Sequence, residues 1–174
     1  MRQAARFAPD AIAVVDLGHP GAARREISYA GLHRMACQMA HGLAARGVRP
    51  GDRVALVAEN SIEVAAAWFG VVYAGAAVVP LHLLSAALEL AQRFEHAGVK
   101  IALHDGARAE LVREAAARAG ATQALQLDAL DPLEQPAQPA QHYPLDTSPA
   151  DTALVLYTSG TTGKAKGAAV SHAS

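Results

Sequence analysis

The apolar residues of this chain follow two alternating patterns. After Ser28 they recur at every third or fourth position, which is the spacing of an amphipathic helix. Ser28 can cap the start of that helix, and Gly47 can end it. Residues 54–58 are instead apolar at every position, which is typical of a strand buried on both faces. The two patterns therefore predict a helix and then a buried strand, joined by a turn over residues 49–52.

The same alternation continues towards residue 127. Asn60, with Glu63 three positions later, resembles a capping box that opens a helix ending at Gly75. Two further helices are predicted over residues 85–97 and 108–119, and each is followed by a glycine. Apolar strands are predicted in the segments AAVVPL, KIALH and TQALQL. Strands that alternate with helices predict an α/β fold with a mainly parallel sheet and helices on both faces.

The amino-acid composition changes between residues 128 and 150, where prolines become frequent. Proline-rich segments of this kind are extended connectors or ligands for small recognition domains, and the missing aromatic or basic flanks favour a connector. The predicted organisation therefore has three parts. They are an α/β subdomain over residues 1–127, a proline-rich connector over 128–150, and a hairpin over 151–174 that begins the next, truncated subdomain.

Charge and cysteine content exclude several classes of protein. The 174 residues carry a formal net charge of −1, which offers no electrostatic footprint for nucleic acid. Cys37 is the only cysteine, so an intrachain disulfide and a multi-thiolate metal site are both excluded. We expect it to be a buried structural thiol. No run reaches the roughly 18 apolar residues of a transmembrane helix, and a cytoplasmic location is predicted.

Histidines and aromatic residues give weaker signals. No two histidines have the i, i+4 spacing of a helical metal site, so no metal is predicted. Trp68 and Phe69 belong to an apolar helical stripe with Val72 and Tyr73, which is more typical of core than of a cofactor site. His172 and His82 follow apolar strands. A structural role is favoured for both, although His82 stands where ligands of α/β proteins bind.

The segment YTSGTTGKAKG, residues 157–167, has a different composition from the rest of the chain. It offers hydroxyl groups, three glycines and two lysines without a carboxylate, which suits a polyanion such as the β and γ phosphates of ATP. A hydrophilic hairpin tip rich in turn formers would have the same composition.

Other phosphate and nucleophile motifs do not match. In a Walker-type loop, a Ser or Thr would follow the lysine to hold magnesium, but Ala165 follows Lys164. A serine-hydrolase elbow needs glycine where Tyr157 stands, and no Gly-x-Gly-x-x-Gly occurs.

The order of residues in this segment closely resembles the phosphate-loop signature of the adenylate-forming superfamily. That superfamily contains the AMP-forming acyl-CoA synthetases, and its signature is Tyr-Thr-Ser-Gly-Thr-Thr-Gly-x-Pro-Lys-Gly. Every fixed position agrees except Ala165, which replaces the proline. Upstream, ISYAGL, GVRPGDRVALVAEN and YAGAAVVPL are similar to further family elements, with Gly31 replacing a glutamate in the first. The resemblance covers roughly residues 7–174 and implies the N-terminal part of the adenylate-forming fold, ending in a β-loop-β phosphate-loop element.

The resemblance implies activation of a small-molecule carboxylic acid by ATP, followed by acyl transfer to coenzyme A. ATP, Mg²⁺ accompanying ATP, and coenzyme A are the implied cofactors. Phosphate contacts are implied for Thr161, Thr162 and Lys166, and a supporting one for Ser159. The full set of implied nucleotide-binding residues is Thr158, Ser159, Gly160, Thr161, Thr162, Gly163, Lys164, Lys166 and Gly167.

The family places its ribose-binding aspartate and its adenylation lysine beyond position 174. No catalytic residue is therefore assigned, and we expect these 174 residues alone to be an inactive N-terminal fragment. Truncation would also expose apolar surface and strand edges, which predicts self-association. Two alternatives remain open: a non-catalytic remnant that binds ATP or a partner, and a different phosphate-loop enzyme such as a kinase, which the spacing disfavours.

Overall fold

A computed structural model describes residues 1–18, 23–130, 147–158 and 166–174. Helices and strands alternate along most of this length. The helices are α1 (Arg2–Phe7), α2 (Tyr29–Ala45), α3 (Ile62–Tyr73), α4 (Ala87–Ala97) and α5 (Ala109–Ala119). The strands are β1 (Ile12–Asp16), β2 (Arg25–Ser28), β3 (Arg53–Val57), β4 (Ala77–Pro80), β5 (Val99–His104), β6 (Gln123–Gln126), β7 (Thr152–Thr158) and β8 (Lys166–Ser171). Short 3₁₀ helices cover Gly106–Arg108 and Leu127–Leu130.

Six of the strands form one sheet in the order β6-β5-β3-β4-β7-β8. The neighbouring pairs are parallel from β6 to β7, and only the β7–β8 pair is antiparallel. β3 lies in the middle, and all but its first residue are buried. This arrangement confirms the predicted mainly parallel α/β fold.

Helices cover both faces of this sheet, because alternate residues of the central strands point to opposite sides. Val54 and Leu56 of β3 pack with α2 and α3 in one hydrophobic cluster. Ala55 and Val57 pack with α4 and α5 in a second cluster, which contains Phe94. The unbroken apolar runs are therefore explained by burial on two faces.

Close contact between α2 and α3 depends on Gly70. A Cβ atom at this position would lie 2.5 Å from the Cβ of Met39 and 3.1 Å from the backbone oxygen of Ala36. The same helix pair buries Cys37 completely, as predicted. The absence of a side chain at Gly70 thus allows the two helices to pack this closely.

Helix starts differ from the predictions in three places. Ser28 caps α2 as predicted, with its Oγ accepting from the Gly31 N–H at 3.2 Å. The cap of α3 is Ser61, not Asn60, because Ser61 is the last extended residue and its Oγ accepts from the Val64 N–H. α4 begins at Ala87, two residues after the predicted start at position 85. α5 begins at Ala109 because Asp105 first caps a 3₁₀ turn.

An antiparallel hairpin of β1 and β2 was not predicted. It is fixed to the start of α3 by Arg25, which contacts two carboxylates. The guanidinium lies 2.6 Å from Asp16 Oδ2 and 2.7 Å from Glu63 Oε1. These hydrogen bonds hold the pKa values of Asp16 and Glu63 below their usual range. Glu63, predicted to belong to a capping box, therefore serves as an ion-pair partner for the hairpin.

The aromatic stripe of α3 is only partly core. Tyr73 is buried, but Trp68 and Phe69 are half-buried and line a cavity of about 610 Å³ beside β1. Trp68 also borders a cavity of about 570 Å³ near the end of β4. Trp68 and Phe69 also pack against the core cluster of α2, α3 and β3, so the stripe contributes to the core as predicted while one side of these two rings borders open space.

The strand β7 lies beside β4 within the main sheet, with Val78 opposite Leu154. Most of the predicted connector, residues 131–146, lies outside the described residues. The division of the chain into a subdomain, a connector and a hairpin stays a prediction.

Candidate functional site

The β7–β8 hairpin places the two ends of the candidate phosphate loop side by side. β7 runs parallel to β4, so Thr158 lies at the carboxyl edge of the sheet. β8 returns antiparallel, with Lys166 opposite Thr158 and Gly167 opposite Tyr157. Ligands of open α/β sheets bind at this edge. The hairpin therefore presents one hydroxyl and one ammonium group at the edge where a ligand is expected.

Three of the nine predicted nucleotide-binding residues belong to the described part of the chain. Thr158, Lys166 and Gly167 are all exposed. The other six, Ser159, Gly160, Thr161, Thr162, Gly163 and Lys164, lie outside the described residues. Their contacts with a phosphate stay predictions.

Tyr157 fixes the end of β7 against helix α4. Its hydroxyl lies 2.7 Å from His96 Nδ1 and also donates to the backbone oxygen of Arg93 at 3.4 Å. The Tyr157 and His96 rings meet edge to face, with their centroids 5.7 Å apart. Burial raises the pKa of the Tyr157 hydroxyl, so it stays protonated and able to donate near neutral pH. These contacts anchor the end of β7, next to Thr158, to helix α4.

Gly167 leaves room for that tyrosine. A Cβ at position 167 would lie 3.3 Å from Tyr157 Cζ and 3.3 Å from Val155 Cγ1. Such contacts are tighter than usual, so a larger residue would push the ring of Tyr157 or the strand aside. The family resemblance places Gly167 among the nucleotide-binding residues, and packing against Tyr157 is a separate reason for a small residue here.

A cavity of about 370 Å³ opens beside Thr158. It lies between the end of β4, the turn that follows it, helix α4 and the end of β7. Its polar members are His82, Ser85, Glu89, Arg93, Tyr157 and Thr158. The His82 ring is held by its own turn, where Nδ1 accepts from the Leu84 N–H at 3.2 Å. A polar cavity therefore borders the first residue of the candidate loop.

At the same edge of the sheet, Arg108 forms ion pairs with two carboxylates. Arg108 lies 2.6 Å from Glu59 Oε1 and 2.7 Å from Asp105 Oδ2. Asp105 Oδ2 also accepts from the Glu59 N–H at 2.9 Å. The hydrogen bond to Glu59 raises the pKa of Arg108 above its ordinary value. These contacts join the end of β3 to the turn after β5.

His172 stands at the far end of β8, at the amino edge of the sheet. Its backbone N–H donates to the Asp151 oxygen at 3.1 Å, and its side chain is exposed. Across the described ranges, no group of three or more His, Cys, Asp or Glu residues could hold a metal ion. In the same ranges, no helix is both long and apolar enough to cross a membrane.

Sequence reasoning missed the contribution of α4 to this site. For Ser85, Arg93 and His96 the sequence predicts only that they belong to the helix over residues 85–97. Glu89 and Arg93 have the i, i+4 spacing of an ion pair on one helix, which does not by itself indicate a ligand site. Their position beside Tyr157 depends on the pairing of β7 with β4, which connects segments far apart in the sequence.

Comparison with known proteins shows the family to which this chain belongs. The family model for AMP-binding enzymes matches residues 1–174, and the chain belongs to this family. The resemblance to adenylate-forming enzymes is thereby confirmed. The chain is 39% identical over 169 residues to a feruloyl-CoA synthase of Amycolatopsis sp., and the match covers 97% of this chain and 32% of that protein.

Solved structures agree with this assignment. A fatty acyl CoA synthetase of Mycobacterium tuberculosis has a TM-score of 0.84 at 28% identity, with 98% of this chain and 33% of that chain covered. The ATP-bound structure of MatB from Rhodopseudomonas palustris has a TM-score of 0.72 at 34% identity, covering 85% and 30% of the two chains. The chain thus spans about a third of the length of these relatives.

Proposed function

We propose that the chain contributes the phosphate-binding part of an ATP-dependent acid–thiol ligase. The observation that carries this proposal is the β7–β8 hairpin, which sets Thr158 and Lys166 side by side at the carboxyl edge of the sheet. Membership of the AMP-binding enzyme family and the names of its synthetase relatives support it. The substrate would be a small-molecule carboxylic acid.

A carboxylate is a poor electrophile, so it must first be activated. Its oxygen attacks the α-phosphorus of ATP, the bond to the bridging oxygen of the β-phosphate breaks, and pyrophosphate leaves. The thiol of coenzyme A then attacks the carbonyl carbon of the acyl-adenylate, and AMP leaves as the thioester forms. Groups that hold the developing charge on pyrophosphate accelerate the first step.

We assign that task to the segment between β7 and β8. Thr161, Thr162 and Lys166 would contact the β and γ phosphates, Ser159 would support them, and the glycines would let the backbone approach. Residues 157–167 include two lysines and no Asp or Glu, which fits a polyphosphate. Mg²⁺ would enter bound to ATP, and no protein ligand is assigned to it.

Because the relatives are about three times as long, we propose that the complete reaction needs a polypeptide of their length. The 174 residues would then bind phosphate without completing the two half-reactions. Coenzyme A as the acceptor is inferred from the names of the synthetase relatives.

Lys166→Ala tests the assignment. We expect about tenfold weaker binding of pyrophosphate, or about 1.4 kcal/mol, because the variant lacks one charge-assisted contact. Isothermal titration calorimetry of the 174-residue chain measures this. Arg118→Ala is the matched control, since Arg118 is an exposed cation paired with Glu114 on α5.

A chimera separates the two half-reactions. When residues 1–174 replace the matching third of a longer family member, Lys166→Ala should slow adenylate formation. Thioester formation from a supplied acyl-adenylate should change little. Equal losses in both half-reactions would contradict the assignment, and normal pyrophosphate binding by the variant would favour a remnant without this role.

A further inference from the structure

Arg93 is a largely buried cation in the cavity beside Thr158. Its side chain is 21% exposed, and it lines the cavity of about 370 Å³ together with Ser85 and Thr158. Its position on α4 is fixed, because the backbone oxygen of Arg93 accepts from the Tyr157 hydroxyl. The guanidinium therefore lines the same cavity as Thr158, the last described residue before residues 159–165.

The charge of Arg93 is poorly balanced by its neighbours. Its Nη1 donates to Ser85 Oγ at 2.5 Å, but a hydroxyl carries no charge. Glu89 Oε2 lies 3.8 Å from Nη1, too far for a hydrogen bond, and that carboxylate is 55% exposed. Arg93 Nε is buried and has no hydrogen-bond partner among the described residues.

Arg108, at the same edge of the sheet, shows the contrast. Its side chain is 16% exposed, close to the value for Arg93, and two carboxylates lie 2.6 and 2.7 Å from its guanidinium. Burying a charge without close partners is costly. Of these two similarly buried arginines, Arg108 thus has two carboxylates within 2.7 Å, whereas Arg93 has one more distant carboxylate at 3.8 Å and an open cavity beside it.

The cavity suits a small oxyanion. Its volume falls in the range of roughly 300–1,000 Å³ that is typical of small-molecule sites. The hydroxyls of Ser85 and Thr158 each have a hydrogen to donate, and a guanidinium matches the geometry of phosphate oxygens. Among the described residues of the lining, Glu89 at the exposed rim is the one carboxylate, and it would repel an anion weakly.

We propose that this cavity is a second oxyanion subsite, in which Arg93, Ser85 and Thr158 hold a phosphate group of the nucleotide. The proposal rests on the proposed function, and it adds a group from α4 to a site that the sequence confined to the β7–β8 segment. Arg93 would bind the phosphate directly, so it would determine affinity for the polyphosphate and not the choice of carboxylic acid.

The test uses the ¹⁵N-labelled 174-residue chain and inorganic pyrophosphate as the probe. The Nε–H signal of Arg93 should shift and saturate during the titration, whereas that of Arg118 should not.

Arg93→Met should weaken pyrophosphate binding about tenfold or more, and Arg93→Lys should weaken it less because the charge remains. Arg118→Met is the matched control and should leave the affinity unchanged. Glu89→Gln, which removes the rim carboxylate, should strengthen binding by about twofold.

The outcomes separate this inference from the proposed function. Pyrophosphate binding that Lys166→Ala weakens and Arg93→Met does not would overturn the subsite and leave the proposed function intact. The reverse pattern would support the subsite and contradict the assignment of Lys166.

Acetate provides the second arm of the titration. If acetate saturates the Arg93 signal and pyrophosphate does not, the phosphate assignment is overturned in favour of a carboxylate. If Arg93→Met does not fold, the Nε–H titration and the Glu89→Gln variant decide: an unmoved signal with unchanged affinity would overturn the proposal.

Discussion

The central strand β3 and the β7–β8 hairpin belong to the same sheet but are built differently. In β3 every residue after Arg53 is buried, whereas β7 has no fully buried residue and β8 is mostly exposed. Alternate residues of β3 face two helix pairs, but the hairpin touches the core mainly through Leu154, Val155 and Tyr157. The difference separates a part that stabilises the fold from a part that presents side chains to a ligand.

Truncation of one large apolar side chain packed against β3 and of one in β7 should show the largest contrast. Phe94→Ala empties a fully buried site against β3, so the free energy of unfolding should fall by about 3–5 kcal/mol. Leu156→Ala in β7 removes a side chain that is 41% exposed and should cost less than about 1 kcal/mol. Urea denaturation of both variants measures the difference. Similar losses at the two positions would show that the hairpin is as important for stability as the core.

Gly70→Ala should have an intermediate effect on the α2–α3 side of the core. The added methyl group would lie 2.5 Å from Met39 Cβ, so the helices must separate and stability should fall by about 1–3 kcal/mol. Alanine favours helix by up to about 1 kcal/mol, which offsets part of this loss. Gly120→Ala provides a contrasting variant, because a Cβ there meets no atom within 4 Å and any loss reflects only its φ of +76°. A stabilised Gly70→Ala protein would refute the close packing.

The smallest predicted effect is on the pH dependence of stability, through the ion pairs of the β1–β2 hairpin. Arg25 lowers the pKa values of Asp16 and Glu63 in the folded state. Both carboxylates therefore stabilise the fold at pH values above their ordinary, unfolded-state pKa values. That contribution is lost as the pH falls through their lowered folded-state pKa values. Arg25→Met should therefore reduce the difference in unfolding free energy between pH 7 and pH 3. An unchanged pH dependence would mean that this ion-pair cluster is screened by solvent.

Most of the fold could be predicted because its signals are local and consistent. Apolar runs at the positions of β3, β4 and β5 require burial on both faces, and serine at position 28 caps its helix as expected. The β1–β2 hairpin was missed because β2 is short and has only one apolar residue, Ile27, so the apolar run of β1 had no recognisable partner strand. Ser61 replaced Asn60 as the cap because either residue can accept the hydrogen bond, and only backbone conformation distinguishes them.

The order of residues from Tyr157 to Gly167 was enough to indicate the family, because that order is highly specific, and family comparison agrees with it. It could not show which distant side chains stand beside the motif. The contact of α4 with Tyr157 and the position of Arg93 next to Thr158 follow from the parallel pairing of β4 with β7. Local patterns predict helices and strands because neighbouring residues determine them, whereas the pairing of distant strands decides which charges share a cavity.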